Sequence, residues 1–265
     1  MDADFVQSVY TAYRSLGEAD FPEPEFKLCA CQNLFIGEYV LLANDARRQL
    51  CAVRSVEWSL KPCRSPQQCE WLAPPLSPNQ SPLKPFGFDI YSDCQFWLCD
   101  KVLTTDYRTK ARLVVHRKRK GTFCPYFTIE FKATTDDTRT LVNQVAAAGL
   151  ISLFNRYRLK LDAHSPRAPP EQLEDVRHYG LTMEQENWMV WLFEPKIVSG
   201  VWAGCKIRAI DGGACDSIEG VCGLLSWINE IHRWGLCEYA LGCEEDIKQV
   251  LSKAPINMKV STIGS

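Results

Sequence analysis

Apolar residues recur at helical spacing at Phe5, Val6, Val9, Tyr10 and Tyr13, which predicts an amphipathic helix over residues 3–16 docked on something larger. A second helical pattern is expected over 33–50 through Leu34, Phe35, Tyr39, Leu41 and Leu42, ending in the polar cluster Asn44, Asp45, Arg47 and Arg48. Seven prolines between 62 and 85 argue against regular helix and interior strand and predict a long loop. Residues 86–98 are aromatic and apolar, interrupted by Asp89 and Asp93. Residues 111–117 alternate, 118–121 are polar and 124–132 are β-rich, so a hairpin is expected there.

Residues 140–160 then carry an alanine-rich helical pattern through Leu141, Val142, Val145, Ala148, Leu153, Phe154 and Tyr157, suited to packing on that hairpin's sheet. A linker with three prolines is expected at 164–171, strands at 188–193 and 201–210, and a closing helix over 218–234. Its apolar face holds Val221, Leu224, Leu225, Ile228 and Ile231. The organisation expected is one α/β domain over 1–265: an N-terminal helical part (1–60), a proline-rich loop (61–85) and a core (86–265).

Composition narrows this picture in three ways. With 265 residues, 46% of them hydrophobic, the chain can fill a sizeable core, which excludes general disorder. A formal net charge of −2 supplies no global attraction to nucleic acid, so any such contact needs a local basic patch. No apolar run approaches the ~20 residues of a membrane span, and the first residues, MDADFVQSVY, lack a basic segment followed by an apolar one. A cytoplasmic protein with reduced thiols and no membrane partner is therefore expected. The 13 cysteines include no CxxC pair, and no metal site is expected from them.

Candidate chemistry concentrates in PYFTIEFK, residues 125–132. Strand alternation puts Phe127, Ile129 and Phe131 on one face and Thr128, Glu130 and Lys132 on the other. At that spacing the lysine is expected to keep Glu130 ionised. A carboxylate and an ammonium so placed can hold a Mg²⁺ ion and orient an attacking water, or can form a solvated salt bridge. Asp93, Asp106 and Asp89 are the candidate upstream acids. Arg112, Arg117, Lys118, Arg119 and Lys120 form a cationic run, suited either to phosphate contact or to solvation as a turn. His232 is expected to pack or cap at a helix end, and Cys94 and Cys99 to be buried and inert.

PYFTIEFK, the helix sequence NQVAAAGLISLFNRYRLK, SDCQFWL upstream and WINEIHRWGL near the C-terminus together resemble the PD-(D/E)XK nuclease-like proteins of filamentous fungi. The resemblance covers the chain from about residue 86 onward. It implies a PD-(D/E)XK nuclease-like core, a mixed central sheet flanked by helices, with Glu130 and Lys132 as the paired functional side chains. It favours Asp93 as the upstream acid, while hairpin geometry favours Asp106. Asn143 and Gln144 open the helix; Gln144 matches the glutamine of RecB-type nucleases, whose tyrosine four residues on is Ala148 here.

Fungal arginine-containing cyclodipeptide synthases are similar to the same group. That likeness implies partners of arginyl-tRNA and a second aminoacyl-tRNA, no cofactor, Glu130 as general base and Lys132 as oxyanion stabiliser. An arginine side chain would need carboxylates, for which Asp136, Asp137 and Glu219 are candidates. The acidic DDxxE motif associated with these synthases is incomplete: Asp136 and Asp137 lack the glutamate, and Asp216 and Glu219 lack the first aspartate. The expected function is thus tRNA-dependent cyclodipeptide synthesis, with two alternatives: a nuclease using Mg²⁺, or a catalytically silent interaction module.

Overall fold

The computed structural model describes residues 2–35, 52–65, 68–75, 89–118, 121–132, 138–164, 173 and 175–253. Its centre is a six-stranded mixed sheet in the order β1 (Ala52–Ser59), β4 (Tyr91–Cys99), β5 (Thr122–Lys132), β6 (His178–Glu184), β7 (Asn187–Val198) and β8 (Val201–Ala214). Only β5 and β6 are parallel; the other neighbours are antiparallel. A separate small hairpin pairs β2 (Cys63–Ser65) with β3 (Gln68–Trp71).

The parallel pair needs a crossover, supplied by α4 (Thr138–His164) on one face of the sheet. This helix sits close because two glycines allow it. A Cβ on Gly149 would lie 2.9 Å from the Phe193 ring, and one on Gly180 would lie 2.8 Å from both Phe193 and Val145. The opposite face is covered by α1 (Ala3–Glu18), α2 (Glu23–Asn33) and α5 (Ile218–Trp234). Val6, Val9, Tyr13, Phe26, Leu224 and Ile228 join Phe96, Phe127, Ile129 and Phe131 in the main core there. A π-turn, Gly235–Tyr239, leads from α5 into α6 (Ala240–Lys253).

Several expectations are corrected. Residues 111–117 are not a strand: Ala111–Leu113 is a 3-10 turn whose Ala111 carbonyl accepts from Val114 and Val115 N–H. The antiparallel partner of β5 is instead β4, whose apolar segment offers more packing: Phe96 stacks on Phe127 with centroids 6.0 Å apart. Within the expected helical part, 52–59 is an edge strand of the central sheet, and α2 forms at 23–33. Most of the expected helix at 33–50, and most of the linker at 164–171, lie outside the described residues. The proline-rich stretch accommodates the β2–β3 hairpin because Pro62, Pro74 and Pro75 flank its strands. Pro195 lies inside β7 instead of ending it. Strand β6 and helix α6 were not expected at all.

The helices at 3–16, 140–160 and 218–234 are present with small boundary shifts. Every described cysteine is free, Cys94 and Cys99 are buried, and no helix among the described residues is long and apolar enough to cross a membrane.

Candidate functional site

β5 is a central strand with a parallel neighbour, so both of its faces are covered and Glu130 is only 2% exposed. The register pairs Cys94 with Ile129, which sets Asp93 beside Glu130 across the β4–β5 ladder. Asp93 N–H lies 3.4 Å from Glu130 Oε2, and Asp93 Oδ2 accepts from Phe131 N–H at 2.8 Å. Glu130 Oε1 is buried and has no hydrogen-bond partner among the described residues.

Burial first, and the Asp93 charge second, push the Glu130 carboxyl up to about 8. The acid is therefore largely protonated at neutral pH. The expected rescue by Lys132 does not occur: Lys132 Nζ lies 3.9 Å from Glu23 Oε2, at the start of α2. Alternation placed the two residues correctly along the strand, yet the ammonium at the strand's end turns to a carboxylate from another layer.

The ion that answers Asp93 is Lys27 on α2. Its Nζ lies 2.7 Å from Asp93 Oδ1 and 2.8 Å from Glu57 Oε1. Burial opposes the charge, but the two carboxylates outweigh it and hold the lysine above its usual range. Glu57 adopts φ 51°, a left-handed conformation at an irregularity of β1 where Val56 and Trp58 pair with β4 and Glu57 does not. Glu23, Lys27, Leu28, Val56, Glu57 and Asp93 line an open cleft of about 530 Å³. Sequence reasoning missed Lys27, Glu57 and Glu23. Helix α2 has no apolar stripe to announce it; the available signals were Pro24 at its start and acids at 23 and 25 in its first turn.

The other candidates are dispersed. Asp106 is exposed in α3 (Thr105–Arg108), at the opposite end of β4 from Asp93, and is not part of the cleft. Asp89 accepts from Ser59 Oγ at 2.6 Å and from Tyr91 Oη at 3.4 Å, a local role at the strand entrance. Asn143 and Gln144 are exposed near the start of α4, and Glu219 is exposed in the first turn of α5. Asp136 and Asp137 lie outside the described residues, as do Arg119 and Lys120.

The cationic run precedes Thr122 at the far end of β5, roughly 25 Å from Glu130 at ~3.3 Å per residue. There Arg117 is paired with Asp100 at 2.5 Å, Lys118 lies 5.8 Å from the Trp97 ring, and Arg112 is exposed. His232 is buried, bonded to Tyr126 Oη at 2.8 Å and set edge-on to Phe96; burial lowers it to about 4, which fits packing.

Among the described residues, no group of three or more His, Cys, Asp or Glu could hold a metal ion. Comparison with family models, curated proteins and solved structures finds no match to this chain. The class defined by the fold is accordingly a six-stranded mixed α/β protein with an acidic cleft at one end of its central strands.

Proposed function

We propose that the cleft, together with Glu130 buried beside its Asp93 and Lys132 two residues on, is the active site of a PD-(D/E)XK-type enzyme hydrolysing phosphodiesters of DNA or RNA. The observation that carries this reading is Asp93 on β4 lying against Glu130 on β5, with Lys132 two residues on and the crossover helix α4 following. An upstream aspartate, a strand ending in Glu-x-Lys and a following helix, within a mixed sheet, is what the resemblance implies.

A divalent cation suits these residues. Mg²⁺ is commonly held by one or two carboxylates together with substrate phosphates, and here Asp93 neighbours Glu130 across the ladder while Glu130 Oε1 has no hydrogen-bond partner among the described residues. Asp93 and Glu130 would hold the ion, which would supply Lewis-acid polarisation of a phosphoryl oxygen. Glu130 would have to lose its proton first, and Lys27 would have to give up Asp93. Lys132 would have to leave Glu23 to orient a nucleophilic water or steady negative charge.

The test is cleavage of plasmid DNA and of RNA by the purified chain with Mg²⁺ or Mn²⁺. Cutting that disappears in Glu130→Gln, Asp93→Asn and Lys132→Ala supports the reading; no cutting of either substrate overturns it.

Arginine-containing cyclodipeptide synthesis from aminoacyl-tRNAs is the second reading, and the raised Glu130 carboxyl favours it. In its ionised fraction, a carboxyl near 8 can take the proton of an α-amine as that amine attacks an ester carbonyl and return it to the leaving tRNA 3′-oxygen; a second such attack closes the ring and releases the other tRNA. Lys27 already neutralises Asp93 in this arrangement, so no ion needs to bind there. Glu23 and Glu57 line the same cleft and could clamp a guanidinium. Its measure is a cyclic dipeptide containing arginine, detected by mass spectrometry after incubation with charged tRNAs in EDTA. No product from any amino-acid pool excludes this second reading.

A further inference from the structure

A second site is built at the other end of the molecule. Arg156 and Lys160 on α4, Asp175 and Arg177 ahead of β6, and Trp234, Tyr239 and Gly242 around the π-turn enclose a cavity of about 190 Å³. It uses none of the residues of the acidic cleft. In a regular α-helix, residues five apart point ~140° away from each other. The i→i+5 bonding of the π-turn brings Trp234 and Tyr239 together instead, with ring centroids 5.0 Å apart. Each ring carries an arginine: Arg177 lies 5.9 Å from Trp234 and Arg156 lies 5.6 Å from Tyr239.

Arg156 has a side chain only 6% exposed. Its Nη1 is 2.6 Å from Asp246 Oδ2, an ionic contact in which neither atom makes a hydrogen bond. Asp246 thus holds the buried cation in place without saturating its donors. On the cavity side, Nη2 lies 3.4 Å from the point where a Cβ of Gly242 would stand, so the missing side chain leaves the guanidinium open to the cavity. Of the lining acids, Glu238 is engaged by Arg233 at 3.3 Å and Asp175 is exposed at the rim. Three cations therefore face the space with one uncommitted acid.

We propose that this cavity binds a phosphate group, either free phosphate or the phosphate of a small monoester, held by Arg156, Arg177 and Lys160. Planar guanidinium forks steadied on aromatic faces suit bidentate contact with phosphate oxygens, and π-turns inside helices are frequently found at functional sites. The volume is enough for a phosphate with a small attached group.

Calorimetric titration of the full chain with inorganic phosphate and, separately, with ribose 5-phosphate at fixed ionic strength tests this. Saturable binding is expected, weakened roughly tenfold or more in the Lys160→Ala/Arg177→Ala double variant. Gly242→Val, which fills the cavity from its wall, should weaken it comparably. Circular dichroism and the phosphate-free melting temperature show whether these variants remain folded. Tighter binding of ribose 5-phosphate identifies a monoester ligand, and equal affinity identifies the phosphate alone. Absence of saturable binding to both probes, or binding unchanged in the folded variants, overturns the proposal. Neither result bears on cleavage or synthesis at Glu130.

Discussion

Two of the molecule's buried charge-capable groups, Glu130 and Arg156, are treated in opposite ways. Next to Asp93 of the acidic cleft, Glu130 has a carboxylate neighbour and, among the described residues, no ion pair, so burial and Asp93 together keep its proton on. Beside the cavity, Arg156 is similarly buried, but Cys243 first and Asp246, 2.6 Å away, second outweigh its desolvation and hold it above the usual arginine range. Burial alone does not decide ionisation; the sign of the nearest neighbour does. A site that holds a releasable proton near neutrality is suited to chemistry. One that locks a permanent cation in place is suited to recognition.

The comparison is tested most severely by removing Asp246. Asp246→Ala leaves a buried guanidinium without its counter-ion and is expected to cost about 3–5 kcal/mol in chemical denaturation. Next comes the pH dependence of Glu130. Its carboxyl rises from about 4.5 to about 8 on folding, so the native state binds more protons than the unfolded chain between those values. The stability it contributes is full below about pH 4.5 and is lost as pH rises through about 8. This slope, worth roughly 3–4 kcal/mol between about pH 5 and pH 8.5, should flatten in Glu130→Gln when unfolding is followed over that range.

A smaller change is expected in Lys27→Met. Losing two charge-assisted hydrogen bonds should cost about 1–3 kcal/mol. It should also raise the pH at which Glu130 ionises, because Asp93 then acts on it without compensation; carbon-13 NMR of labelled glutamate measures that shift. The smallest effect belongs to an exposed pair. Arg208 lies 3.0 Å from Glu194 on the β7–β8 ladder with its side chain 58% exposed, and Arg208→Ala should move stability by less than about 0.5 kcal/mol. If Asp246→Ala were no more damaging than Arg208→Ala, the contrast drawn between the two buried sites would fail.

Legibility followed the type of signal. The helices over 3–16, 140–160 and 218–234 were readable because a periodic apolar face must be buried against something. Helix α2 was not, since its residues form no stripe, and it is held by Phe26 and Ala30 reaching the core together with the ion pairs of Lys27. Residues 111–117 carried a weak strand pattern that lost the edge of β5 to the more apolar β4. Glu130, Lys132 and Asp93 were legible as candidates. The partners Lys27, Glu57 and Glu23 were not, because no local rule relates Lys27 to Asp93, 66 residues on, or Glu23 to Lys132 on β5.

The amino-acid order by itself determined that residues 125–132 form a strand, that its polar side chains alternate with Phe127, Ile129 and Phe131, and that a long helix follows. Those features depend on residues a few positions apart. Only the tertiary structure decided that Asp93 and not Asp106 meets Glu130, that Lys132 turns to Glu23, and that Glu130 keeps its proton. Pairing and ionisation arise from the register between strands and from the low dielectric of a sheet covered on both faces, and both appear only once distant segments are packed together.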